Sequence, residues 1–330
     1  MKTLRVAIAG FGSVGRATAS LLLGRRERYL SQYGLDVRLV AVCGSKAGLF
    51  NLDGIEEGHF NQQQKGLTGP DFILQSGADV VIEAGPSDFR TGGPGYAYIQ
   101  SALEAKRDVI AISKGALVFD GPGLRRLASK SGATLKISGA TAAALPTIDL
   151  LDYNLKGCEV LKVEGILNAT TNFLLDTMMQ QGSSFAQALA SAQAGGFAES
   201  DTSYDTQGWD TACKLLILAN FGLGATLTID DVSVEGIEDV TTKRINQWRE
   251  QNLVPKLVGV LSRQPKGYKA TVGIQALTKD DPLSLVAGNN KAIRITTDVM
   301  GDVIAIGGNS GPQATAAAAL KDFEHLLMKV

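Results

Sequence analysis

Short apolar segments alternate with amphipathic segments along residues 1–140. The apolar segments are rich in valine and isoleucine, as buried parallel strands are, and they lie at residues 4–9, 37–43, 79–83, 108–112 and 133–137. Between them, apolar residues at helical spacing predict helices at residues 13–29, 95–105 and 123–131. Strands separated by helices of this length predict right-handed βαβ crossovers. The expected domain is therefore α/β, with a doubly wound parallel sheet of the Rossmann type.

The pattern changes after Pro146. Residues 158–167 alternate apolar and charged side chains over a length that predicts a long strand. Helices are predicted at 171–181, 184–193, 206–221 and 240–251, and strands at 254–262, 269–276, 292–297 and 303–306. Because strands and helices no longer alternate strictly, this part is expected to form a second, α+β domain with a mixed sheet. A glycine-rich turn at 307–311 and a helix at 313–328 follow.

Length and charge narrow the class of protein. The chain has 330 residues, and single cores rarely grow beyond ~250–300 residues, which favours two domains. Lys and Arg number 32 against 33 Asp and Glu, a net charge of −1 that argues against nucleic acid as a partner. No apolar run approaches the ~20 residues that span a bilayer. The N-terminus lacks the apolar core of a signal peptide, so we expect a cytoplasmic protein without membrane association.

The cysteines and histidines argue against a metal site and against a hydrolase that needs a catalytic histidine. Cys43, Cys158 and Cys213 lie far apart in sequence, without the spacing of metal ligands. The sequence has only two histidines, His59 and His325. No metal site is therefore predicted from these residues, and a Ser-His-Asp hydrolase is disfavoured. Acid–base chemistry is expected to depend on Lys, Asp or Glu.

A glycine-rich motif follows the first predicted strand and opens the first predicted helix. Its residues are Gly10, Phe11, Gly12, Ser13, Val14 and Gly15. In GxGxxG the first glycine allows a tight turn, the second lets the backbone approach a pyrophosphate, and the third lets helix and strand pack closely. The alternative is a glycine-rich turn in an unrelated α/β protein, but the strand–motif–helix context favours a dinucleotide.

The end of the second predicted strand bears on the choice of dinucleotide. NAD enzymes place an acidic residue there for the ribose hydroxyls, whereas NADP enzymes need a cation or a small polar group for the 2′-phosphate. Here Cys43 replaces the expected acid, and Ser45 and Lys46 follow. NADP is therefore the predicted preference, with NAD also used. In the alternative, Lys46 is a solvated loop residue and the protein accepts both cofactors.

Acidic residues and a lysine cluster between positions 199 and 214. Glu199, Asp201 and Asp205 precede Asp210 and Lys214, which are four residues apart on a predicted helix and share a face. Such a pair by itself is more often an exposed ion pair of little energetic consequence. The acids upstream favour a polar pocket that faces a ligand.

Another lysine, Lys114, follows Ser113 and the fourth predicted strand. Ligands of doubly wound sheets bind outside the carboxyl ends of the strands, so Lys114 is expected to point toward the cofactor. The alternative is a lysine at an exposed helix start.

With these motifs in place, the chain resembles the homoserine dehydrogenase family along nearly its whole length. The matching segments come in family order at residues 10–15, 112–115, 165–173 (GILNATTNF), 196–201 (GFAESD), 205–210 (DTQGWD) and 214–215. The resemblance is to the short form of the family, without the C-terminal regulatory domain of the ACT type that many members append.

The resemblance implies reversible, NAD(P)-dependent hydride transfer between L-homoserine and L-aspartate 4-semialdehyde, in the biosynthesis of threonine, methionine and isoleucine. It implies that Lys214 is the general acid and base and that Asp210 orients the reacting oxygen. The Thr170 backbone N–H and Lys114 would receive the α-carboxylate or the hydroxyl, and Glu199 would bind the α-ammonium. Free lysine has a pKa of ~10.4, so a lysine base needs desolvation or a nearby cation, for which Lys114 is the candidate.

The resemblance also assigns the remaining residues and the domains. Asp201 and Asp205 join the substrate site, and Ser113 and Gly311 join the cofactor site. Residues 1–145, completed by the C-terminal helix at 307–330, are expected to bind the dinucleotide. Residues 146–306 are expected to bind substrate, carry out catalysis and form the contact of a homodimer.

Three features depart from the family's pattern. Ala169 stands where a glycine is common, and Thr202 follows Asp201 where proline is usual. The turn that holds a monovalent cation in some members, at residues 139–146 here, lacks the glycine pattern, so a sodium site stays open.

Two alternatives remain. One is another Rossmann-type reductase of amino-acid or semialdehyde substrates, although an aspartate-semialdehyde dehydrogenase would need a nucleophilic cysteine with a histidine partner. The other is a non-catalytic module that senses nucleotides, against which the presence of both Lys114 and Lys214 argues.

Overall fold

The computed structural model describes residues 2–196, 198 and 201–328. The chain divides into two compact units, the first formed by Met1–Ala144 with Ser310–Val330 and the second by Leu145–Asn309. Among the described residues, no helix combines the length and the apolar character that a membrane span requires.

A seven-stranded sheet forms the centre of the first unit. Its strands are β1 (Lys2–Ala9), β2 (Leu35–Cys43), β3 (Ala47–Phe50), β4 (Gln64–Lys65), β5 (Val80–Glu83), β6 (Asp108–Ala111) and β7 (Leu135–Lys136). They are ordered β4-β3-β2-β1-β5-β6-β7, and the five strands from β2 to β7 in this order are parallel. The order reverses at β1, so the ligand crevice of such a sheet lies beyond the carboxyl ends of β1 and β5.

Six helices accompany this sheet in the first part of the chain. They are α1 (Ser13–Gly24), α2 (Arg26–Tyr33), α3 (Pro70–Gln75), α4 (Gly93–Glu104), α5 (Gly115–Ser131) and α6 (Gly139–Ala142). The prediction of one helix over residues 13–29 is wrong, because Arg25 leaves the helical conformation with φ −110° and ψ 10° and so separates α1 from α2. The predicted helix at 123–131 is the second half of α5, whose backbone breaks at Asp120, with Pro122 two residues later.

No pattern in the sequence indicated the antiparallel extension of the sheet formed by β3 and β4. Gly48 in β3 explains how the strand fits, because a Cβ there would lie 2.3 Å from the carbonyl oxygen of Leu67. The extension gives the turn after β2 a fixed geometry, and that turn carries Ser45 and Lys46.

The second unit contains a six-stranded sheet. Its strands are β8 (Val160–Ile166), β9 (Val232–Val234), β10 (Val254–Gln264), β11 (Gly267–Leu277), β12 (Lys291–Thr297) and β13 (Asp302–Gly307). They are ordered β13-β12-β8-β10-β11-β9, with antiparallel pairs except for the parallel pair β11–β9. The predicted mixed sheet, and with it the predicted fold class of an α/β domain plus an α+β domain, is confirmed.

Five α-helices lie in the described part of the second unit. They are α7 (Ala169–Gln181), α8 (Phe185–Ala194), α9 (Ser203–Thr206), α10 (Trp209–Ile217) and α11 (Thr242–Glu250). The helix predicted over residues 206–221 begins only at Trp209, because Gly208 adopts φ +89° and separates α9 from α10, and it continues through a π-helical turn, Leu218–Gly222. A Cβ at Gly208 would lie 3.0 Å from Cγ1 of Val234, so close packing as well as the backbone angle favours glycine.

The helix α12 (Pro312–Leu327) belongs to the first unit. Its Phe323 is fully buried and meets the ring of Tyr29 edge-on, with 5.4 Å between the ring centroids. The buried carboxylate of Asp322 accepts hydrogen bonds from the backbone N–H and the hydroxyl of Ser138, at 2.8 and 2.7 Å. Residues from both ends of the chain therefore complete one core.

Candidate active site

The glycine motif of the first unit forms a close turn between β1 and α1. Gly10 adopts φ +98°, and a Cβ there would lie 2.4 Å from the backbone of Ala84 and Gly85. A Cβ at Gly15 would lie 2.0 Å from the carbonyl oxygen of Gly10, so the helix could not approach the turn. Gly12 has open space around its Cα and stands at the N-cap of α1.

The start of α1 is suited to an anion. Among the described residues no side chain caps this helix, so the N–H groups of its first turn are available to a phosphate. Ser13 is exposed there, and Val14 is half-buried. Phe11 is buried and anchors the turn, packing edge-on against Phe60 with 5.1 Å between the ring centroids.

A mostly apolar cavity of about 340 Å³ lies beside this turn, in the position of the expected crevice. Its wall includes Gly10, Ser45, Thr68, Pro94 and Tyr98. The Tyr98 hydroxyl accepts a hydrogen bond from the Gly69 backbone N–H at 2.8 Å, which fixes the ring. A concave apolar site with few polar groups is suited to the flat base of a nucleotide.

The turn after β2 holds Ser45 and Lys46 in exposed positions. It is closed by a hydrogen bond from the Gly44 backbone N–H to the Ala47 carbonyl at 2.8 Å. Lys65, also exposed, lies opposite Ala47 in the pairing of β3 with β4. This second lysine close to the turn was not found from the sequence, because β4 was not predicted.

Glu83 at the end of β5 was also missed. Its carboxylate is fully buried and accepts hydrogen bonds from the Ser113 hydroxyl at 2.6 Å and the Gly85 backbone N–H at 2.7 Å. Burial raises the pKa of the Glu83 carboxyl, and these hydrogen bonds oppose the shift. The predicted cofactor residue Ser113 is thus bonded to a carboxylate that lines the cavity.

The two other predicted groups of this unit lie at helix starts. Lys114 is the N-cap residue of α5 and is half-buried, and its backbone N–H donates to the Ser87 hydroxyl at 3.0 Å. Gly311 is the exposed N-cap residue of α12, with φ +103°. The segment considered for a sodium site is residues 139–146. Its residues 139–142 form α6, and Ala143 has the unusual φ of +53°.

In the second unit, Asn168 links the end of β8 to the first turn of α7. It is the N-cap residue of α7, and its Oδ1 accepts from the Thr171 backbone N–H at 2.9 Å. Its Nδ2 donates to Oδ1 of Asp205 and to Oδ2 of Asp210, at 2.8 Å each. One buried amide therefore brings together two carboxylates that lie on either side of the Gly208 turn.

Lys214 completes this cluster. Its Nζ donates to Oδ2 of Asp210 at 2.5 Å and to the carbonyl oxygen of Leu167 at 2.7 Å. The side chains of Lys214 and Asp210 are 14% and 7% exposed, which rejects the alternative of a solvated ion pair on a helix surface. The structure thus groups three predicted residues, Asp205, Asp210 and Lys214, around Asn168.

The surroundings of Asp205 in this cluster disfavour the charged form of its carboxyl. Burial raises the pKa of its carboxyl, and the nearby charge of Asp210 raises it further. Hydrogen bonds from Asn168 and from the Thr170 side chain, and the charge of Lys214, lower that pKa and partly compensate. The predicted substrate residue Thr170 therefore contacts Asp205 at the start of α7.

The predicted substrate residues upstream of this cluster are placed differently. Asp201 is exposed, and its carboxylate accepts from the backbone N–H and the hydroxyl of Ser203 at 3.0 and 2.7 Å. These hydrogen bonds lower the pKa of the Asp201 carboxyl and give it a local role at the start of α9. Glu199 lies outside the described residues.

A buried network holds α7 in register with the sheet. Nζ of Lys256 on β10 donates to Oδ1 of Asn172 at 2.8 Å, to Oδ1 of Asp176 at 2.7 Å and to the carbonyl oxygen of Val286. Burial lowers the pKa of Lys256, and the hydrogen bond and charge of Asp176 oppose this shift. No sequence signal indicated it, because a single lysine in an apolar strand has no local partner.

The glycine turn and nucleotide cavity of the first unit, with the buried lysine and carboxylates of the second, define an NAD(P)-dependent oxidoreductase. A sequence model of the family described as "Homoserine dehydrogenase" matches residues 146–323, and one described as "Homoserine dehydrogenase, NAD binding domain" matches residues 10–138. The chain belongs to the homoserine dehydrogenase family. The expected activity is thereby confirmed, and neither alternative is supported.

Two relatives are similar to this chain along nearly their whole length, and a solved structure shares its fold. The homoserine dehydrogenase of Methanocaldococcus jannaschii is 32% identical, over 97% of this chain and 98% of that protein. The NAD(+)-dependent homoserine dehydrogenase of Pseudomonas canavaninivorans is 32% identical, over 99% and 97%. The crystal structure of a homoserine dehydrogenase from Thiobacillus denitrificans superposes with a TM-score of 0.87 at 25% identity, covering 99% of this chain and 74% of that one.

Proposed function

We propose that Lys214 is the general acid and base in the reversible interconversion of L-homoserine and L-aspartate 4-semialdehyde. The observation that carries this is the pair of hydrogen bonds from its Nζ to Asp210 and to the Leu167 carbonyl, which fixes the amine in a mostly buried polar cluster. In aldehyde reduction the ammonium of Lys214 donates a proton to the oxygen, and in alcohol oxidation its amine accepts one. Asp210 orients Lys214 and the reacting oxygen.

The ends of the substrate are matched by opposite charges. The first turn of α7 presents backbone N–H groups near Thr170, and a helix N-terminus favours the negative charge of the α-carboxylate. Lys114 is assigned the same carboxylate or the hydroxyl. The carboxylate of Asp205 contributes negative charge for the α-ammonium, together with Glu199 and Asp201 as the family resemblance implies.

A nicotinamide dinucleotide fits the first unit, since Gly10 and Gly15 permit the close turn between strand and helix, Gly12 leaves open space beside it, and the first turn of α1 can receive a pyrophosphate. When bound, this cofactor accepts or supplies the hydride. We infer that NADP is preferred over NAD. The support is the exposed pair Ser45 and Lys46, with Lys65 on the neighbouring strand, and the absence of an acidic side chain at residues 42–46.

Two further properties belong to this proposal. We propose a homodimer formed through the region after Pro146 and the late strands, where Leu161 and Ile306 are exposed apolar residues of the sheet.

A sodium ion near residues 139–146 stays a prediction, which activity in sodium chloride compared with choline chloride would test.

Turnover tests the function directly. With L-homoserine, the protein should reduce NADP and NAD, and with aspartate semialdehyde it should oxidise the reduced cofactors, both followed by absorbance. Alcohols that lack the α-amino group serve as controls and should be oxidised far more slowly. Equal turnover of homoserine and such an alcohol would contradict the proposed site, and no turnover of either amino acid would contradict the proposed function.

A further inference from the structure

One face of α7 carries a row of polar residues. Asn168, Asn172 and Asp176 are four residues apart, so they lie on the same side of the helix in successive turns. Asn168 and Asn172 are buried, and the side chain of Asp176 is 16% exposed. The first member of the row holds the carboxylates of the candidate active site, whereas the other two bind Lys256.

The sheet places Lys256 beside the start of α7. Gly259 of β10 pairs with Gly165 of β8 in an antiparallel register, so residues before Gly259 lie toward the end of β8, from which the chain passes into α7. Lys256 precedes Gly259 by three residues and is 1% exposed. Its ammonium makes three hydrogen bonds, as many as it has protons to donate.

The contacts of this ammonium also tie the segment before β12 to α7. The carbonyl of Val286 accepts from Lys256 and from Nδ2 of Asn172, which also donates to the Gly288 carbonyl at 2.8 Å. Oδ2 of Asp176 accepts from the Gly288 backbone N–H at 2.8 Å. Because hydrogen bonds are directional, these contacts fix the rotation of α7 and its position along its axis, which apolar packing alone defines less sharply.

We propose that Lys256 is a positioning residue for the substrate site, on which it acts through α7. This inference rests on the proposed function, in which the first turn of α7 receives the α-carboxylate of the substrate. Asn172 lies one turn from Asn168, about 6 Å along the helix axis, so a displacement of the helix at Lys256 reaches its first turn. A displacement of binding groups by about 1 Å is enough to lower catalysis by roughly 10²-fold.

The buried ion pair of Lys256 and Asp176 offers a way to separate positioning from stability. Apolar or neutral residues of similar volume often stabilise a fold as well as a buried ion pair does, because desolvation of the charges offsets their attraction. Removing one partner alone is far more harmful, since it leaves a buried charge without its counterion. Removing both charges should therefore restore the fold but not the position of α7.

Steady-state kinetics of paired variants test the inference. Lys256→Met should lower the urea midpoint of unfolding, because Asp176 loses its cation. Lys256→Met/Asp176→Asn should recover most of that stability, since asparagine keeps an oxygen for the Gly288 N–H. In this double variant KM for L-homoserine should still be raised about tenfold, whereas KM for NADP should not change. A native KM for homoserine in the stable double variant would overturn the inference.

The matched control is Arg294→Met. Arg294 of β12 belongs to a buried ion pair of the same sheet, but its guanidinium bonds to Glu164 and Asp281 rather than to α7. Its replacement should lower stability without raising KM for homoserine. A similar rise in this control, or an equal rise of KM for NADP in the double variant, would show general loosening and would also overturn the inference.

A second readout needs no turnover. The side-chain amide of Asn168, labelled with nitrogen-15 and assigned with Asn168→Asp, should change its NMR chemical shift in the double variant but not in Arg294→Met. An unmoved signal would contradict an action of Lys256 through α7. If the methionine variants at position 256 do not fold, Asp176→Asn alone decides by the same two measurements. Failure of the native enzyme to oxidise homoserine would instead reject the proposed function, and the Asn168 signal would still decide the coupling.

Discussion

Asn168 donates an amide hydrogen to Oδ2 of Asp210 at 2.8 Å, and this is the carboxylate oxygen to which Lys214 also donates. The same amide nitrogen holds Asp205. Asn168 therefore determines where Asp210 and Lys214, the proposed acid–base pair, are held.

Asn168→Asp should show this role. The aspartate keeps the oxygen that caps α7 but loses the donor and adds a third carboxylate beside Asp205 and Asp210. We expect unfolding to require about 1–3 kcal/mol less, the usual effect of leaving buried polar groups without their partner, and kcat/KM to fall at least tenfold. Urea denaturation and steady-state kinetics measure both. Ser184→Ala, which removes the cap of α8, is the control and should lower stability by about 1 kcal/mol without changing kcat.

Lys214→Ala should lower kcat by roughly 10²–10⁴, the usual contribution of a general acid–base group, while the affinity for NADPH is retained. Asp210→Asn should impair the same step, so the double variant should lose less than the sum of the two single losses. Rapid single-turnover kinetics would confirm that the chemical step has slowed. Near-native kcat with aspartate semialdehyde would end the assignment and move the role to Lys114.

Glu83→Gln should stabilise the protein in a pH-dependent way. Because burial raises the pKa of Glu83, the folded protein binds this proton more tightly than the unfolded chain, and the resulting stabilisation is full at low pH and is lost as pH rises. Glutamine can still accept from Gly85 and can donate to the Ser113 hydroxyl. The variant should therefore match the native protein in acid and exceed it at neutral pH in urea denaturation. Glu104→Gln, at an exposed position on α4, is the control, and a Glu83→Gln effect independent of pH would contradict the explanation.

Lys46→Ala should weaken NADP selectively, because it removes a cation from the position assigned to the 2′-phosphate. KM for NADP should rise several-fold while KM for NAD changes little, and added salt should reduce the difference between the two cofactors in the native enzyme. Lys266→Ala, in the exposed turn between β10 and β11, is the control. Equal losses with both cofactors, or a strong native preference for NAD, would show that the phosphate is not recognised here.

Light scattering at micromolar concentration should give the mass of a dimer. Ile306→Glu on the edge strand β13 should lower that mass, because a charge opposes burial of this strand in a subunit contact. Leu52→Glu changes an equally exposed residue of the first unit and should not. A monomeric mass for the native protein would contradict the prediction.

Local patterns were sufficient for the elements and motifs that depend on neighbouring residues. The glycine turn at Gly10 and the Asp210–Lys214 pair were predicted because their spacing carries the geometry. Gly208 was predicted to lie inside a helix, because a single glycine in an apolar stretch does not indicate a left-handed conformation. Glu83 and Lys256 were missed because their burial comes from elements that are distant in sequence. The roles of the site residues, and the domain boundaries at 145/146 and 306/307, stay predictions.

The return of α12 to the first unit affects the order in which the protein can fold during synthesis. Phe323, Leu326 and Leu327 belong to the same core as Tyr29 and Leu22, so that core cannot close until the ribosome has released the last helix. The second unit, Leu145–Asn309, is continuous and emerges earlier as a complete segment. During synthesis, apolar surface of the first unit therefore stays exposed while the second unit forms its own sheet. Nascent chains stalled before residue 312 should accordingly present the first unit as a chaperone substrate.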